Sequence, residues 1–177
     1  MQNGIITVRR VAAHEAESCV AGLADVLVDC VEGGASVSFM LPIPRDKAMR
    51  FWRGVAGGVA RGERALLIAE DAGGQIVGTV QLVLAQPENQ PHRADVAKML
   101  VHRKVRRQGI AQRLMTEVEQ VAREEGKSVL VLDTVTGGDA ERLYVRAGWQ
   151  RVGDVPDYAL MPDGQLCGTT FYCKRLM

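Results

Sequence analysis

Aromatic side chains are scarce in this 177-residue sequence: three Phe, three Tyr and two Trp make up 5% of it. So few rings offer a poor stacking platform for an extended single-stranded nucleic acid. Net charge is almost absent too, because 22 basic and 21 acidic side chains leave +1. The chain as a whole therefore has no strong pull on polyanions such as nucleic acid or anionic membrane. No stretch approaches the about 18 uninterrupted apolar residues of a membrane span. The N-terminal Met-Gln-Asn-Gly-Ile-Ile-Thr-Val-Arg-Arg has no apolar core for a signal peptide, so the expected compartment is the cytoplasm. Cysteines number four. Cys19 and Cys30 are spaced for one helical face, and Cys167 and Cys173 for one face of a strand. Neither pair has zinc or Cys-x-x-Cys spacing, so buried thiols are expected. His14, His92 and His102 are isolated from other ligand types, and no metal site is expected.

What is present is an ordinary globular composition, 47% apolar and 24% charged, at a length that suits one domain. A β-branched run over 5–11 predicts a strand. Val20, Leu23, Ala24, Leu27, Val28 and Val31 recur at helical spacing and predict a helix over 14–31, ended by Gly33-Gly34. Pro42 and Pro44 open a second helical stretch through Phe51 and Trp52, which Gly54, Gly57 and Gly58 should interrupt. Two apolar runs, 65–69 and 75–84, flank an Asp/Gly turn and predict an antiparallel hairpin. A strand over 95–101, a helix from Gly109 to Glu125, a strand over 128–133 and a short helix over 139–147 follow. A strand from Trp149, a Pro/Asp/Gly loop and a last strand over 168–175 complete the chain. Strand and helix alternation in the second half, with a hairpin in the first, predicts a mixed sheet covered by helices on both faces, an α/β fold.

Charge is distributed less evenly than its total. Residues 102–113 carry Arg103, Lys104, Arg106, Arg107 and Arg113 with no acid, a local +5 that leaves the other 165 residues at −4. The run lies between a strand and an amphipathic helix. Gly109 and Ala111 leave successive backbone N–H groups bare at the helix N-terminus, which is a phosphate-binding arrangement. It is neither the dinucleotide glycine motif nor the nucleotide-triphosphate phosphate loop. A solvated basic loop and a basic-patch nucleic-acid binder are the competing readings of this run.

Arg106-Arg107-Gln108-Gly109-Ile110-Ala111 resembles the Arg/Gln-x-x-Gly-x-Gly/Ala signature of the GNAT superfamily of N-acetyltransferases. Ala140-Glu141-Arg142-Leu143-Tyr144-Val145-Arg146-Ala147-Gly148-Trp149 is similar to that family's Ala-x-x-Leu-Tyr segment. Gly33 to Met40, Glu117 to Ala122, Leu132-Asp133-Thr134 and the Pro156 to Gly164 tail resemble the tabtoxin-resistance acetyltransferase type. Arg103, Ala111 and Gly137 depart from the family pattern, standing where a proline, a glycine and a cofactor-contacting asparagine are common.

The resemblance implies one acetyl-CoA-binding domain over 5–177. Its sheet would have seven strands, mixed and mostly antiparallel, splayed between the fourth and fifth. It implies that Met99, Leu100 and Val101 offer backbone to the pantetheine arm, and that Arg106 with the N–H groups of Arg107, Gln108, Gly109, Ile110, Ala111 and Gln112 holds the pyrophosphate. It also implies Tyr144 as the acid at the leaving sulfur and Asp133 as the base for the amine, with Asp95 the weaker alternative. The acceptor would be a primary amine of a small molecule, an amino-acid-like toxin or antibiotic, between the loops 33–41 and 154–168. Neither metal, nucleic acid nor membrane is expected, and the protein would be a monomer or homodimer. A coenzyme-A-binding module without transferase activity is the alternative.

Overall fold

The structure, a computed structural model, describes residues 5–177. Its sheet has the order β1-β2-β3-β4-β5-β7-β6. The strands are β1 (Thr7–Arg10), β2 (Arg64–Glu70), β3 (Ile76–Val83), β4 (Arg93–Val101), β5 (Val129–Val135), β6 (Gln150–Leu160) and β7 (Leu166–Arg175). The helices are α1 (Val20–Glu32), α2 (Arg45–Ala60), α3 (Ile110–Glu124) and α4 (Asp139–Arg146). All strand pairs are antiparallel except β4 with β5. The mixed seven-stranded sheet with helices on both faces is thus as expected. Among the described residues no helix is long and apolar enough to cross a membrane.

The helical periodicities translate into two cores. Leu23, Leu27 and Trp52 of α1 and α2 bury against Leu66, Ile68 and Leu100 on one face of the sheet. Leu114, Met115 and Val118 of α3 bury against Leu67, Val80 and Leu130 on the other. β2 and β4 lie between both layers, which is why the 65–69 run is apolar without alternation.

Three local expectations are corrected. The helix predicted over 14–31 is a 3₁₀ turn over Ala13–Cys19 followed by α1. The α2 helix runs unbroken through its glycines, because Ala48, Trp52, Val55 and Val59 anchor it on the core while Gly58 lets the Arg64 side chain pass beneath. A Cβ there would stand 3.0 Å from Arg64 Cδ. The Pro/Asp/Gly loop predicted after the strand from Trp149 is present but confined to 161–165 around Pro162-Asp163-Gly164, because β6 continues through Pro156. At the sheet edge a missing N–H is tolerated, and a bulge between Val155 and Ala159 absorbs the proline. Of the cysteines, Cys19 and Cys30 are buried as expected. Cys167 and Cys173 are half-buried only, since α1 and α2 pack on the β1–β4 half of the sheet.

A buried charge network joins α3, β7 and the end of α4. Glu119, 7% exposed, accepts from Lys174 Nζ at 2.8 and 2.9 Å and from Trp149 Nε1 at 3.2 Å, while Lys174 also donates to the Ala147 carbonyl at 2.6 Å. Removing one partner leaves the other charge poorly compensated. Glu119→Ala is expected to lower stability by about 3 kcal/mol in urea denaturation. A loss under about 1 kcal/mol would show that the network contributes no more than an exposed pair.

Candidate active site

β4 and β5 pair only at one end, Arg93 to Asp95 with Val129 to Val131, and then separate. The expected splay is therefore present, and the strand ends carrying Met99 to Val101 and Asp133 to Val135 face an open wedge. A bulge sharpens it. Between Thr79 and Gln81 of β3 the facing residues of β4 jump from Leu100 to Ala97, so Lys98 and Met99 together oppose Val80. Lys98 takes φ +51° there, and the bulge places Leu100 in the α1–α2 core while Val96 lies in the α3 core. His102 N–H donates to the Val77 carbonyl at 2.9 Å, so the antiparallel alternation turns the Val101 N–H away from β3 and toward the wedge.

The turn after β4 is a set of bare donors. Arg107 (φ +62°) and Gly109 (φ +75°) take left-handed conformations. The Arg113 N–H donates to the Gly109 carbonyl at 3.1 Å, which leaves the Ile110, Ala111 and Gln112 N–H groups without partners in the helix. A Cβ built on Gly109 meets nothing within 4 Å. This open concavity suits a phosphate group. Gly109→Val would fill it and strain the backbone by about 1–2 kcal/mol. Acetyl-CoA affinity is expected to fall roughly tenfold or more, measured by titration calorimetry, with the fold retained by circular dichroism.

Of the local +5, much is engaged in the fold. Arg103 donates to Asp29 from its N–H (2.8 Å) and its Nε (3.0 Å). Burial alone would raise the Asp29 carboxyl, but these bonds hold it below the usual carboxylate range. Lys104 Nζ donates to Gln75 Oε1 at 2.6 Å, and Arg106 Nε to the Val101 carbonyl at 3.2 Å. Arg107 and Arg113 remain without side-chain partners among the described residues, beside the bare N–H groups.

Tyr144 on α4 is buried, its ring 6.2 Å from that of Trp149 and 5.9 Å from that of Tyr172. Its hydroxyl has no hydrogen-bond partner among the described residues. Burial, with a smaller contribution from the charge of Asp133, pushes its pKa up to about 12. Asp133 is exposed on β5 beyond the last residue paired with β4, and among the described residues it has neither an ion-pair nor a hydrogen-bond partner. The two predicted catalytic residues are thus brought within each other's field at the open end. Asp95 is at the closed end, engaged by Arg93 and by Gln86 Nε2 (3.0 Å).

Gly137, which stands where the family pattern has an asparagine, lies in a turn held by Glu141. The Gly137 N–H donates to Glu141 Oε2 at 2.6 Å, and Tyr172 OH donates to Glu141 Oε1 at 2.7 Å, which fixes the turn before α4. The two predicted acceptor loops meet: Ser36 Oγ donates to the Leu160 carbonyl at 2.9 Å and Leu41 N–H to the Pro162 carbonyl at 3.0 Å. Lys98 was not among the expected site residues, yet its ammonium donates to Ser38 Oγ in the same region at 3.0 Å. A cation inside the otherwise apolar stretch 96–101 of β4 was the signal for it.

Residues 37–149 match the acetyltransferase (GNAT) family, and the chain belongs to that family. An uncharacterized N-acetyltransferase from the hisH–hisA intergenic region of Azospirillum brasilense is 34% identical over 113 residues. That match covers 63% of this chain and 65% of the relative, so it spans just under two thirds of the relative's length. Among solved structures, an N-acetyltransferase from Staphylococcus aureus Mu50 superposes with a TM-score of 0.78 at 15% identity, covering 98% of this chain and 99% of that one. The yncA protein of Salmonella typhimurium, solved with its cofactor acetyl-CoA, superposes with a TM-score of 0.77 at 16% identity over 98% and 95%. At these identities the two structures speak for the fold.

Proposed function

We propose that the chain is an N-acetyltransferase that moves the acetyl group of acetyl-CoA to a primary amine of a small molecule. The observation that carries the reading is the convergence of an unpartnered phenol, Tyr144, and an unpartnered carboxylate, Asp133, at the open end of the β4–β5 wedge. The bare N–H groups of Ile110 to Gln112 lie just beyond β4.

In this reading the Val101 N–H holds the pantetheine amide as a further strand would. The turn from Arg107 to Gln112 holds the pyrophosphate, with Arg107 and Arg113 supplying charge. Coenzyme A brings roughly four negative charges to that corner. Arg103, Lys104 and Arg106 are engaged elsewhere, which favours a compact anion over an extended polyanion. Acetyl-CoA supplies a thioester carbon for the amine nitrogen to attack, with loss of the thiolate.

An amine of pKa near 10 is mostly protonated at neutral pH and must lose a proton before it can attack. Asp133 accepts that proton, directly or through water. Tyr144 faces the departing sulfur. A phenol at about 12 is a weaker acid than a thiol of about 8.5, so full transfer to the thiolate is uphill by about 5 kcal/mol. Tyr144 therefore acts by donating a hydrogen bond to the sulfur as its charge develops.

The similarity of 33–40, 117–122 and 156–164 to tabtoxin-resistance acetyltransferases favours an amino-acid-like toxin or antibiotic as acceptor. Incubation with acetyl-CoA and a panel of small primary amines, followed by thiol release, tests the reading. Release that requires an amine is expected. Binding of acetyl-CoA with no release for any amine would leave a coenzyme-A-binding module instead.

A further inference from the structure

Neither the fold nor the chemistry above uses Lys98. Its half-buried ammonium enters on the α1–α2 side of the sheet, donates to Ser38 Oγ at 3.0 Å and lies 5.7 Å from the centroid of the Phe51 ring. An ammonium has three donors, and one neutral hydroxyl occupies one of them. No carboxylate lies within ion-pair distance of Lys98 among the described residues. Asp133, on the same sheet face across the wedge, reaches it only through its field.

β2 and β3 supply further donors near this place. Arg64 of β2 donates to the Oε1 of Gln81 on β3 at 2.8 Å, and its charge is felt at Lys98. Gln81 is fully buried and its Nε2 has no acceptor. Turning the amide over would set Nε2 against the guanidinium, so the Arg64 bond fixes this orientation. Ala97 and Gln81 are register partners, which places this orphaned donor one residue from Lys98 along the same face.

Two further features mark the place as built. Ser38 (φ +78°) and Lys98 (φ +51°) are non-glycine residues held in the left-handed region, and they are joined to each other by their side chains. Such strain persists where the surroundings fix it, and it clusters at ligand sites. Burial outweighs the attraction of Asp133 and holds the Lys98 pKa below the usual lysine value, as befits a cation short of an anion.

We propose that Lys98 is a specificity-determining residue that binds a carboxylate of the acceptor, so that the acceptor is an amino acid or a similar zwitterion with its ammonium toward Asp133. The proposal rests on the acetyltransferase reading and narrows its substrate class. A single ammonium beside one hydroxyl matches a monoanionic carboxylate better than a phosphonate dianion, which calls for several charged donors. It also disfavours polyamines, which the −4 borne outside the basic run would otherwise attract.

The test compares thiol release from acetyl-CoA for free amino acids, their carboxamides, the amines lacking the carboxyl group, and the matching aminophosphonates. It uses the wild-type chain, Lys98→Met and Lys98→Arg. The wild type is expected to favour the acids over the carboxamides by roughly tenfold or more in kcat/KM. Lys98→Met is expected to erase that ratio through KM for the acid, and Lys98→Arg to restore it in part. A purely structural role would lower acid and carboxamide alike and leave the ratio intact, which would overturn the proposal. So would a wild-type preference for carboxamides, plain amines or aminophosphonates. No release with any amine, despite acetyl-CoA binding, would overturn the transferase reading itself and this proposal with it.

Discussion

Tyr144→Phe is expected to lower turnover by more than tenfold while acetyl-CoA still binds. The expected loss is about 100-fold, the lower end of the range for removing one aligned donor from a developing negative charge. Stability should hardly change. The phenylalanine ring keeps the packing on Trp149 and Tyr172, and the deleted hydroxyl has no protein partner whose hydrogen bond would be lost. Turnover, acetyl-CoA affinity and melting temperature measured together therefore separate chemistry from folding. Unchanged turnover would remove Tyr144 from the reaction, and lost affinity would make it a binding residue.

Asp133→Asn is expected to lower the rate at neutral pH by about 100-fold, within the usual range for a lost general base. The deficit should shrink as pH rises. Without the carboxylate the enzyme depends on acceptor already deprotonated in solution, and that fraction grows about tenfold per pH unit until the amine pKa near 10. Tyr144 should respond too. The charge of Asp133 helps to hold its phenol up, so the variant should bring the Tyr144 titration down from about 12, though burial keeps it above the ordinary value. Because Asp133 is exposed and unpaired, the isosteric amide leaves the fold intact. A pH–rate profile parallel to that of the wild type would contradict the assignment as base.

Much of the fold is legible in the sequence because its elements obey local rules. The 3.6-residue spacing of α1 and α3, the Asp/Gly turn between β2 and β3, and the order of strands and helices each follow from neighbours along the chain. The two motifs locate the turn at 106–111 and the helix bearing Tyr144 for the same reason. What escapes the sequence depends on partners far away. The α2 helix survives three glycines because the core beneath it is already apolar, and β6 survives Pro156 because it lies at the sheet edge.

The basic run is the clearest case at the site. Five cations in twelve positions look alike in the sequence, but Asp29, 74 residues upstream of Arg103, engages one of them, and Gln75 and the Val101 carbonyl engage two more. Lys98 is the converse. Its place in an apolar strand is visible, but only the bulge opposite Val80 turns it toward Ser38 and Phe51.

The central claim is acetyl transfer to an amine, and the most direct measurement is the fate of the acetyl group. For the amine that gives the fastest thiol release, isotopically labelled acetyl-CoA and mass spectrometry would follow the label. The account predicts one N-acetylated acceptor for each thiol released. Recovery of the label as free acetate, or on the protein itself, would contradict it.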